Sequence, residues 1–288
     1  MAARTVLVCG AGLMGHGIAQ VMAAAGHTVR LFEPEVARAE AGRARIDGNL
    51  ARAVAKGKLT EEQRREQLDR IASVGSLAQA AQDVDLVVEA VFEDEAVKGD
   101  LFGQLDVIAP PSAIFASNTS SISITRLAAA VSPARRARFV GIHFFSPVPV
   151  MPLIELIRGA ETDDATEADV RALAAELGKQ LIVSGDRPGF IVNRVLMPFL
   201  GESMRAYEEG LATAEDIDAG ARLGLNHPMG PLALADFIGL DVCLHIMEVL
   251  HEGFGQAHFA PPQILRQLVD AGHLGQKSGR GFYEYPRP

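Results

Sequence analysis

The sequence predicts an α/β fold: an N-terminal domain with a doubly wound parallel sheet, followed by an all-α C-terminal domain. Short apolar strands alternate with helical stretches along the first part of the chain, a pattern typical of a parallel sheet covered by helices. After a glycine- and proline-containing cluster at residues 185–189, strand patterns end and only helical periodicity follows. We therefore expect a first domain over residues 1–185 and a second over residues 186–288.

Length and composition narrow the class of protein. A chain of 288 residues, 48% of them apolar, can form two domains of ordinary size. Its 36 acidic and 27 basic residues give a net charge of -9, which disfavours nucleic acids and anionic membranes as partners. Cys9 and Cys243 lie in apolar runs, so we expect buried thiols of a cytoplasmic protein rather than a disulfide or a metal site. Neither a membrane span nor a signal peptide is predicted.

The first strand and the turn after it form a phosphate-binding motif. A strand over residues 5–9 runs into the hexapeptide GAGLMG at residues 10–15, and a helical run ends at Gly26. Strand, G-x-G-x-x-G and helix in this order are the dinucleotide-binding fingerprint of a Rossmann domain. Gly10 permits the tight turn, Gly12 leaves room for a pyrophosphate, and Gly15 allows the helix to pack closely on the strand. The N-terminus of the helix attracts the phosphates. The predicted cofactor-binding residues of this turn are Gly10, Gly12, Leu13, Met14 and Gly15.

The second strand, residues 27–32, indicates which dinucleotide is bound. It ends at Glu33, and a carboxylate about 20 residues after the glycine turn accepts hydrogen bonds from the adenosine ribose hydroxyls. The same carboxylate repels the 2′-phosphate of NADP, by about 4 kcal/mol per charge pair at ~4 Å and an effective dielectric constant of 20. The sequence therefore predicts NAD as the cofactor; the alternative is a glycine turn that serves only packing.

The remaining elements follow from apolar periodicity and capping patterns. Residues 35–58 and 60–70 are expected to form a helical hairpin, whose second helix begins at a capping pattern on Thr60. Further strands are predicted over residues 85–90, 114–118, 138–143 and 153–157, and the composition changes after residues 179–183. Helices of the second domain are predicted over residues 190–208, 213–223, 232–252 and 261–271.

The reactive groups are expected at the carboxyl ends of the strands, where doubly wound sheets bind their ligands. His143 ends a strand, and Glu155 follows in an apolar run where a carboxylate needs a partner. We predict that they pair, because a carboxylate fixes the tautomer of an imidazole base and stabilises its protonated form. The alternative for His143 is a structural role at the strand end. Residues 117–121, SNTSS, also follow a strand and either bind a substrate oxygen or the nicotinamide amide, or cap a helix.

Seven motifs in order carry a resemblance that covers nearly the whole chain. They are GAGLMGHGIAQ at 10–20, VVEAVFED at 87–94, FASNTSSISI at 115–124, HFFSPVPVMPLIELI at 143–157, DRPGFIVNR at 186–194, GPLALADFIGLDV at 230–242 and LGQKSGRGFYEY at 274–285. With these motifs the sequence resembles the 3-hydroxyacyl-CoA dehydrogenase family, and in size the single-function, 3-hydroxybutyryl-CoA dehydrogenase-like members. The resemblance implies NAD-dependent oxidation of an L-3-hydroxyacyl-CoA to the 3-oxoacyl-CoA, or the reverse reduction.

The resemblance also implies a role for individual residues. His143 is expected to be the catalytic base with Glu155 as its partner, Ser120 a contact of substrate and cofactor, and Asn193 the amide that orients the substrate. Further cofactor contacts are expected at Glu93, Lys98, Ser146 and Lys277, and coenzyme A contacts at Asn49 and Lys56. At Ser146 the sequence departs from the asparagine of many single-function members, which leaves the cofactor geometry there open.

Three other functions stay open at this point. A dehydrogenase of a free hydroxy acid or sugar acid would keep the fold and depend little on coenzyme A. A lysine-dependent dehydrogenase of the 6-phosphogluconate type is disfavoured by the predicted histidine–glutamate pair, and so is a non-catalytic NAD-binding structural protein. The apolar helical residues 232–250 suggest a homodimer.

Overall fold

Eight strands form one sheet in the computed structural model, which describes residues 3–286. The strands are β1 (Thr5–Cys9), β2 (Thr28–Phe32), β3 (Ile71–Val74), β4 (Leu86–Glu89), β5 (Ile114–Ser117), β6 (Phe139–Phe144), β7 (Leu153–Arg158) and β8 (Gln180–Gly185). The helices that accompany them are α1 (Leu13–Ala24), α2 (Val36–Ala55), α3 (Glu61–Asp69), α4 (Leu77–Ala80), α5 (Glu95–Ile108), α6 (Ile124–Ala128), α7 (Pro133–Arg136) and α8 (Asp164–Glu176).

The order of the strands is β3-β2-β1-β4-β5-β6-β7-β8, and the first six run parallel. This order confirms the predicted doubly wound sheet. The sheet differs from the prediction at β7, which pairs antiparallel with β6, while β8 runs parallel to β7. Its direction reverses because residues 145–152 join β6 to β7 without a crossover helix, and a parallel pair needs such a crossover. Strand β3 was not predicted; it has four residues, of which only Ile71 is buried.

The core of the sheet unit follows from the apolar strands and the apolar face of α1. Val8 of β1, Leu31 of β2 and Val88 of β4 belong to one apolar cluster with Ile18 and Met22 of α1. These five side chains are inaccessible to solvent. Helices α2 and α3 form the predicted hairpin. A capping box begins α3, because Thr60 and Gln63 each accept the other's backbone N–H at 3.1 and 2.9 Å. This hairpin packs on the side of the sheet that carries α1.

The chain divides into two compact units between Arg187 and Pro188, and the second unit is helical. Its helices are α9 (Val192–Glu208), α10 (Ala214–Ala219), α11 (Pro231–Ile238), α12 (Leu240–Phe254) and α13 (Gln263–Asp270). The single helix predicted over residues 232–252 is wrong, since Gly239 has a φ of 106° and separates α11 from α12. Helix α10 continues as a π-helical turn over Gly220–Gly224. Within residues 3–286, no helix combines the length and apolar character needed to cross a membrane.

A buried aspartate holds the C-terminal segment of the second unit in place. Asp236 of α11 is 1% exposed and accepts hydrogen bonds at 3.0 Å from the backbone N–H groups of Phe282 and Tyr283 and from the hydroxyl of Tyr285. Burial raises the pKa of Asp236, and these three donors oppose the shift incompletely. A side chain at Gly281 would collide with this carboxylate. Packing on Asp236 therefore accounts for Gly281 and Tyr285 of the last sequence motif, whereas the hydroxyl of Tyr283 donates to Asp218.

A buried histidine lies beside the amino end of the first two strands. His27 precedes β2 and is 3% exposed; its Nδ1 accepts the backbone N–H of Arg4 at 3.3 Å, and its Nε2 lies 3.2 Å from Oε2 of Glu176 in α8. Burial lowers the pKa of His27 below its ordinary value of 6.5, and the charge of Glu176 opposes the shift incompletely. The folded protein thus holds this imidazole neutral where the unfolded chain would protonate it.

We expect His27 to make the protein sensitive to mild acid. A lowered histidine pKa means that the unfolded chain binds the proton first, so the contribution of His27 to stability should be constant above about pH 7 and fall as the pH drops below about 6.5. His27→Gln removes the titrating group, and its Tm should fall less between about pH 7 and pH 5. Thermal unfolding followed by circular dichroism measures both slopes. Equal slopes would show that His27 does not take up a proton on unfolding.

Candidate active site

The glycine turn lies at the carboxyl end of β1, and its three glycines are constrained differently. Gly10 has a φ of 100°, and a Cβ atom there would collide with the backbone oxygen of Ala90. A Cβ atom at Gly15 would collide with the backbone oxygen of Gly10. At Gly12, by contrast, no heavy atom of residues 3–286 other than those of residues 11–13 lies within 4 Å of the position a Cβ would take. The fold itself requires Gly10 and Gly15, whereas Gly12 leaves open space at the N-terminus of α1.

This open space fits a dinucleotide phosphate. Leu13 and Met14 are the first residues of α1, Gly12 is its N-cap, and no side chain caps the helix. The backbone N–H groups of a first helical turn bind anions through hydrogen bonds and the helix dipole. Leu13 is 69% exposed, so its side chain does not cover the turn. The residues present therefore suit the cofactor that the sequence predicts.

Glu33 lies directly after β2 and next to the glycine turn. Its Oε1 accepts the backbone N–H of Ala11 at 2.7 Å, which fixes the carboxylate at the edge of the turn. A cavity of about 490 Å³ opens beside it and is lined in part by Gly10, Glu33, Pro34 and Leu77. Ligand cavities of this size are ordinary. The position of Glu33 is therefore suited to the adenosine half of a dinucleotide.

His143 and Glu155 form a pair across two strands. They are directly opposite residues of the antiparallel β6–β7 ladder, and Nδ1 of the imidazole lies 2.7 Å from Oε2 of the carboxylate. His143 is 6% exposed and Glu155 is fully buried. Because a carboxylate only accepts hydrogen bonds, Nδ1 carries the proton, and the neutral ring has its lone pair on Nε2. The geometry is that of a base whose tautomer is set by a buried anion.

The SNTSS segment lies beside this pair because β5 and β6 are neighbours in the sheet. Asn118 accepts the backbone N–H of Phe144 at its Oδ1, at 2.9 Å, and so fixes the strand end next to His143. The backbone N–H of Ser120 donates to Oε1 of Glu93 at 3.0 Å. Sequence reasoning singled out Ser120 but not Asn118. The polar composition of the segment was the only signal for the role of Asn118.

Glu93 and Lys98 are brought together with a third residue that the sequence did not indicate as functional. Lys98 is 1% exposed, and its Nζ lies 2.5 Å from Oε1 of Glu89 and 3.1 Å from Oε2 of Glu93. Burial raises the pKa of Glu89 although Lys98 lies beside it. Burial acts in the same direction on Glu93, but the charge of Lys98 and the hydroxyl of Thr119 outweigh it and hold the pKa of Glu93 below its ordinary value.

The loop between β6 and β7 carries Ser146, which is exposed and precedes a cis proline. Lys179, before β8, donates from Nζ to the backbone oxygens of Val148 and Met151, at 2.7 Å each. Burial lowers the pKa of Lys179. Lys179 thus anchors the loop that follows His143. This role could not be predicted, because in the sequence a lysine at the start of a strand looks like any surface lysine.

The residues expected to contact coenzyme A lie on and next to α2. The amide nitrogen of Asn49 donates to Oε1 of Gln20 in α1 at 3.2 Å, and its Oδ1 accepts from Arg52. Lys56 is exposed at the C-cap of α2. Asn49 is thus engaged by protein side chains on the face of α2 toward α1, and Lys56 lies in solvent at the end of α2.

Two predicted residues belong to the second unit. Asn193 lies in the first turn of α9 and is 8% exposed. Lys277 lies in the C-terminal segment, where its Nζ is 2.5 Å from Oδ1 of Asp241. The structure therefore brings His143, Ser120, Glu93 and Lys98 together near the carboxyl ends of β4, β5 and β6, in the same sheet as the glycine turn, whereas Asn49 and Lys56 belong to α2 and its C-cap. Asn193 and Lys277 are placed within the second unit.

In a comparison with known proteins, each unit matches the model of a domain of the same protein family. The model for the NAD binding domain of 3-hydroxyacyl-CoA dehydrogenase matches residues 5–187. The model for the C-terminal domain of 3-hydroxyacyl-CoA dehydrogenase matches residues 189–285.

Individual relatives and a solved structure are similar over almost their whole length. A 3-hydroxybutyryl-CoA dehydrogenase of Bradyrhizobium diazoefficiens is 52% identical over 282 residues, which are 98% of this chain and 95% of that protein. A probable 3-hydroxybutyryl-CoA dehydrogenase of Bacillus subtilis is 50% identical over 285 residues, 99% of this chain and 98% of that protein. The crystal structure of (S)-3-hydroxybutyryl-CoA dehydrogenase from Ralstonia eutropha has a TM-score of 0.95 at 47% identity and covers 99% of this chain and 100% of its own.

We expect Gly12→Ala to separate cofactor binding from folding. Because nothing in the described chain occupies the space beside Gly12, the variant should unfold within about 2 °C of the wild type. Its methyl group enters the space of the phosphates, so NADH should bind at least about 10-fold more weakly. NADH fluorescence titration and thermal unfolding measure the two effects. Gly15→Ala is the matched control and should lose stability instead; wild-type affinity in Gly12→Ala would contradict this assignment of the space.

Proposed function

The chain belongs to the 3-hydroxyacyl-CoA dehydrogenase family, and on this premise we propose which of its residues react and which bind. It is an NAD-dependent oxidoreductase that acts on the CH–OH group of a 3-hydroxyacyl-CoA. The predicted family, activity and cofactor are thereby confirmed. We propose 3-hydroxybutyryl-CoA as the substrate, since relatives of this chain from three bacteria are named as dehydrogenases of that compound.

The observation that carries the proposed mechanism is the 2.7 Å contact between His143 and Glu155. In the oxidation, Nε2 of His143 takes the proton of the 3-hydroxyl group while the hydrogen at C3 leaves as hydride. NAD, when bound, supplies the carbon that accepts this hydride. Glu155 stabilises the imidazolium that forms, and in the reverse direction His143 returns the proton to the oxygen.

Other residues hold the reactants in place. We propose that Ser120 binds the substrate oxygen and the cofactor, and that Asn193 orients the substrate through its amide. Positioning of this kind supplies a large share of catalysis in hydride transfer. For coenzyme A we propose Asn49 and Lys56; the exposed ammonium of Lys56 is suited to a phosphate group.

The proposed cofactor site begins at the glycine turn, whose open position at Gly12 supports it. Glu33 would accept hydrogen bonds from the ribose hydroxyls and reject the 2′-phosphate of NADP. The remaining contacts that we propose for the cofactor are Gly10, Leu13, Met14, Gly15, Glu93, Lys98, Ser146 and Lys277.

The activity is tested by the oxidation of NADH in the presence of acetoacetyl-CoA, followed by the loss of NADH absorbance. Turnover with acetoacetyl-CoA is expected. Free acetoacetate serves as the matched substrate without coenzyme A, and equal kcat/KM for the two would favour a dehydrogenase of free hydroxy acids. The absence of turnover with both, together with tight NADH binding, would favour a non-catalytic NAD-binding protein.

The pair of His143 and Glu155 should behave as one unit in a double-mutant cycle. General-base catalysis contributes about 10²–10⁴-fold, so His143→Ala should lose at least about 100-fold in kcat and retain NADH affinity. Glu155→Gln keeps the shape but removes the charge, and should lose at least about 10-fold. Because Glu155 acts through the imidazole, adding Glu155→Gln to His143→Ala should change kcat little further. Additive losses in the double variant would show that Glu155 has a separate role.

We further propose that the second unit forms a homodimer. Large apolar side chains are exposed in it, which is typical of protein interfaces. They include Leu211, Leu223, Leu225, Phe237 and Val242. The cytoplasm is the proposed location, supported by the free buried thiols of Cys9 and Cys243, which suit a reducing compartment.

We expect a charge on this apolar surface to weaken the dimer. Leu223 is 83% exposed, and Leu223→Glu should shift the protein toward the monomer in sedimentation velocity measurements. Val107→Glu is the matched control, because Val107 is 88% exposed but belongs to the first unit, and it should leave the association unchanged. A wild-type protein that is monomeric at all concentrations would contradict the proposed dimer.

A further inference from the structure

Five side chains of the first unit form a closed ring of polar contacts, which we name the Lys98 ring. It consists of Glu89, Glu93, Lys98, Ser117 and Thr119. The ammonium of Lys98 contacts Glu89 at 2.5 Å and Glu93 at 3.1 Å. The hydroxyl of Ser117 donates to Glu89 at 2.6 Å and accepts the backbone N–H of Thr119 at 3.2 Å. The hydroxyl of Thr119 donates to Glu93 at 2.5 Å and closes the ring.

The ring ties the start of the SNTSS segment to three structural elements. Glu89 is the last residue of β4, Ser117 the last residue of β5, and Lys98 lies in the second turn of α5. Through Ser117 and Thr119 the ring determines the path of the backbone as it leaves β5. It therefore determines where the next residue, Ser120, lies.

Glu93 fixes Ser120 and its neighbour directly. One oxygen of Glu93 accepts the backbone N–H of Ser120 at 3.0 Å and the hydroxyl of Ser121 at 2.9 Å, while the other faces Lys98. These are charge-assisted hydrogen bonds, which are shorter and stronger than neutral ones. The lowered pKa of Glu93 agrees with an ionised carboxylate that only accepts.

The charges of the ring make its geometry intolerant of change. Two carboxylates share one ammonium, and Glu89, Lys98 and Ser117 are at most 1% exposed, so water cannot replace a lost partner. Each hydroxyl has one proton, and in the ring each proton points to a carboxylate. Removal of any member leaves a buried donor or acceptor unsatisfied and releases the segment.

We propose that Glu89 and Ser117 are positioning residues of the reaction, which act through the Lys98 ring to hold Ser120 in its catalytic place. The inference rests on the proposed function, because Ser120 matters only if it contacts the reactants. Glu89 and Ser117 are both fully buried and present no surface to a substrate or cofactor. Any effect of these two residues on turnover is therefore transmitted through their neighbours.

A second ion pair on α5 provides a control. Asp106 accepts Nε of Arg135 at 2.9 Å and the backbone N–H of Ser132 at 2.7 Å. The side chain of Arg135 is 4% exposed and that of Asp106 is 14% exposed. This pair shares its helix with the Lys98 ring, but it lies toward the other end of α5, and its hydrogen bonds reach neither the SNTSS segment nor His143. Asp106→Asn thus reports the effect of losing a largely buried charge pair in this unit away from the SNTSS segment.

The test compares Glu89→Gln, Ser117→Ala and Asp106→Asn by three measurements: kcat with saturating acetoacetyl-CoA and NADH, the Kd of NADH, and Tm. Because a displacement of about 1 Å costs up to 100-fold in rate, both ring variants should lose about 10-fold or more in kcat. Because Glu93, Lys98 and Ser120 are themselves proposed cofactor contacts, the Kd of both ring variants for NADH should rise as well, but by less than the fall in kcat. Asp106→Asn should lower Tm by a similar amount but keep kcat within about 2-fold. Ser117→Ala removes a single oxygen atom and keeps the test decisive if Glu89→Gln does not fold.

Two results would overturn the proposal. Wild-type kcat in folded ring variants with a lowered Tm would make the ring a purely structural feature. A rise in the Kd of NADH that accounts for the whole loss of kcat/KM, with kcat retained, would assign the ring to cofactor binding instead. Turnover by the wild-type protein is measured first, so failure of the proposed function is recognised separately from failure of the ring.

Discussion

The antiparallel pairing of β7 with β6 is the constraint on which the contact between His143 and Glu155 depends. It places Glu155 directly opposite His143, and a shift of the register by one residue would turn the carboxylate to the other face of the sheet. A parallel strand arriving through a crossover helix would not bring residues twelve positions apart together. The loop that permits the reversal is anchored by Lys179 through two backbone carbonyls. The chemistry of the site therefore begins with the topology of a sheet edge.

Features that depend on the local backbone could be predicted from the sequence, whereas features that depend on distant contacts could not. The glycine turn could be predicted because each glycine meets a local requirement, and the structure separates the two needed for packing from Gly12. The break at Gly239 could not, because apolar periodicity continues through it and the break depends on a positive φ. Strand β3 lacked a signal because it is short and mostly half-buried.

The same distinction holds within the site. His143 and Glu155 could be paired from the sequence because a carboxylate in an apolar run needs a partner, and a histidine ended the preceding strand. Glu89 also lies in an apolar strand, but its partners Lys98 and Ser117 are 9 and 28 residues away on other elements. Only the assembled sheet brings these three side chains together. A carboxylate in an apolar strand thus predicts that a partner exists, but only the topology of the sheet shows which residue that partner is.

Buried and half-buried carboxylates near the strand ends raise an electrostatic problem for a chain with a net charge of -9, because its cofactor is also anionic. The structure resolves it locally. Glu33 accepts a backbone N–H, Glu89 and Glu93 share an ammonium, and Glu155 faces an imidazole. Each of these carboxylates is held in place by donors of the protein. The N-terminus of α1 at Gly12, which no side chain caps, then remains an attractive feature for an anion at this edge of the sheet.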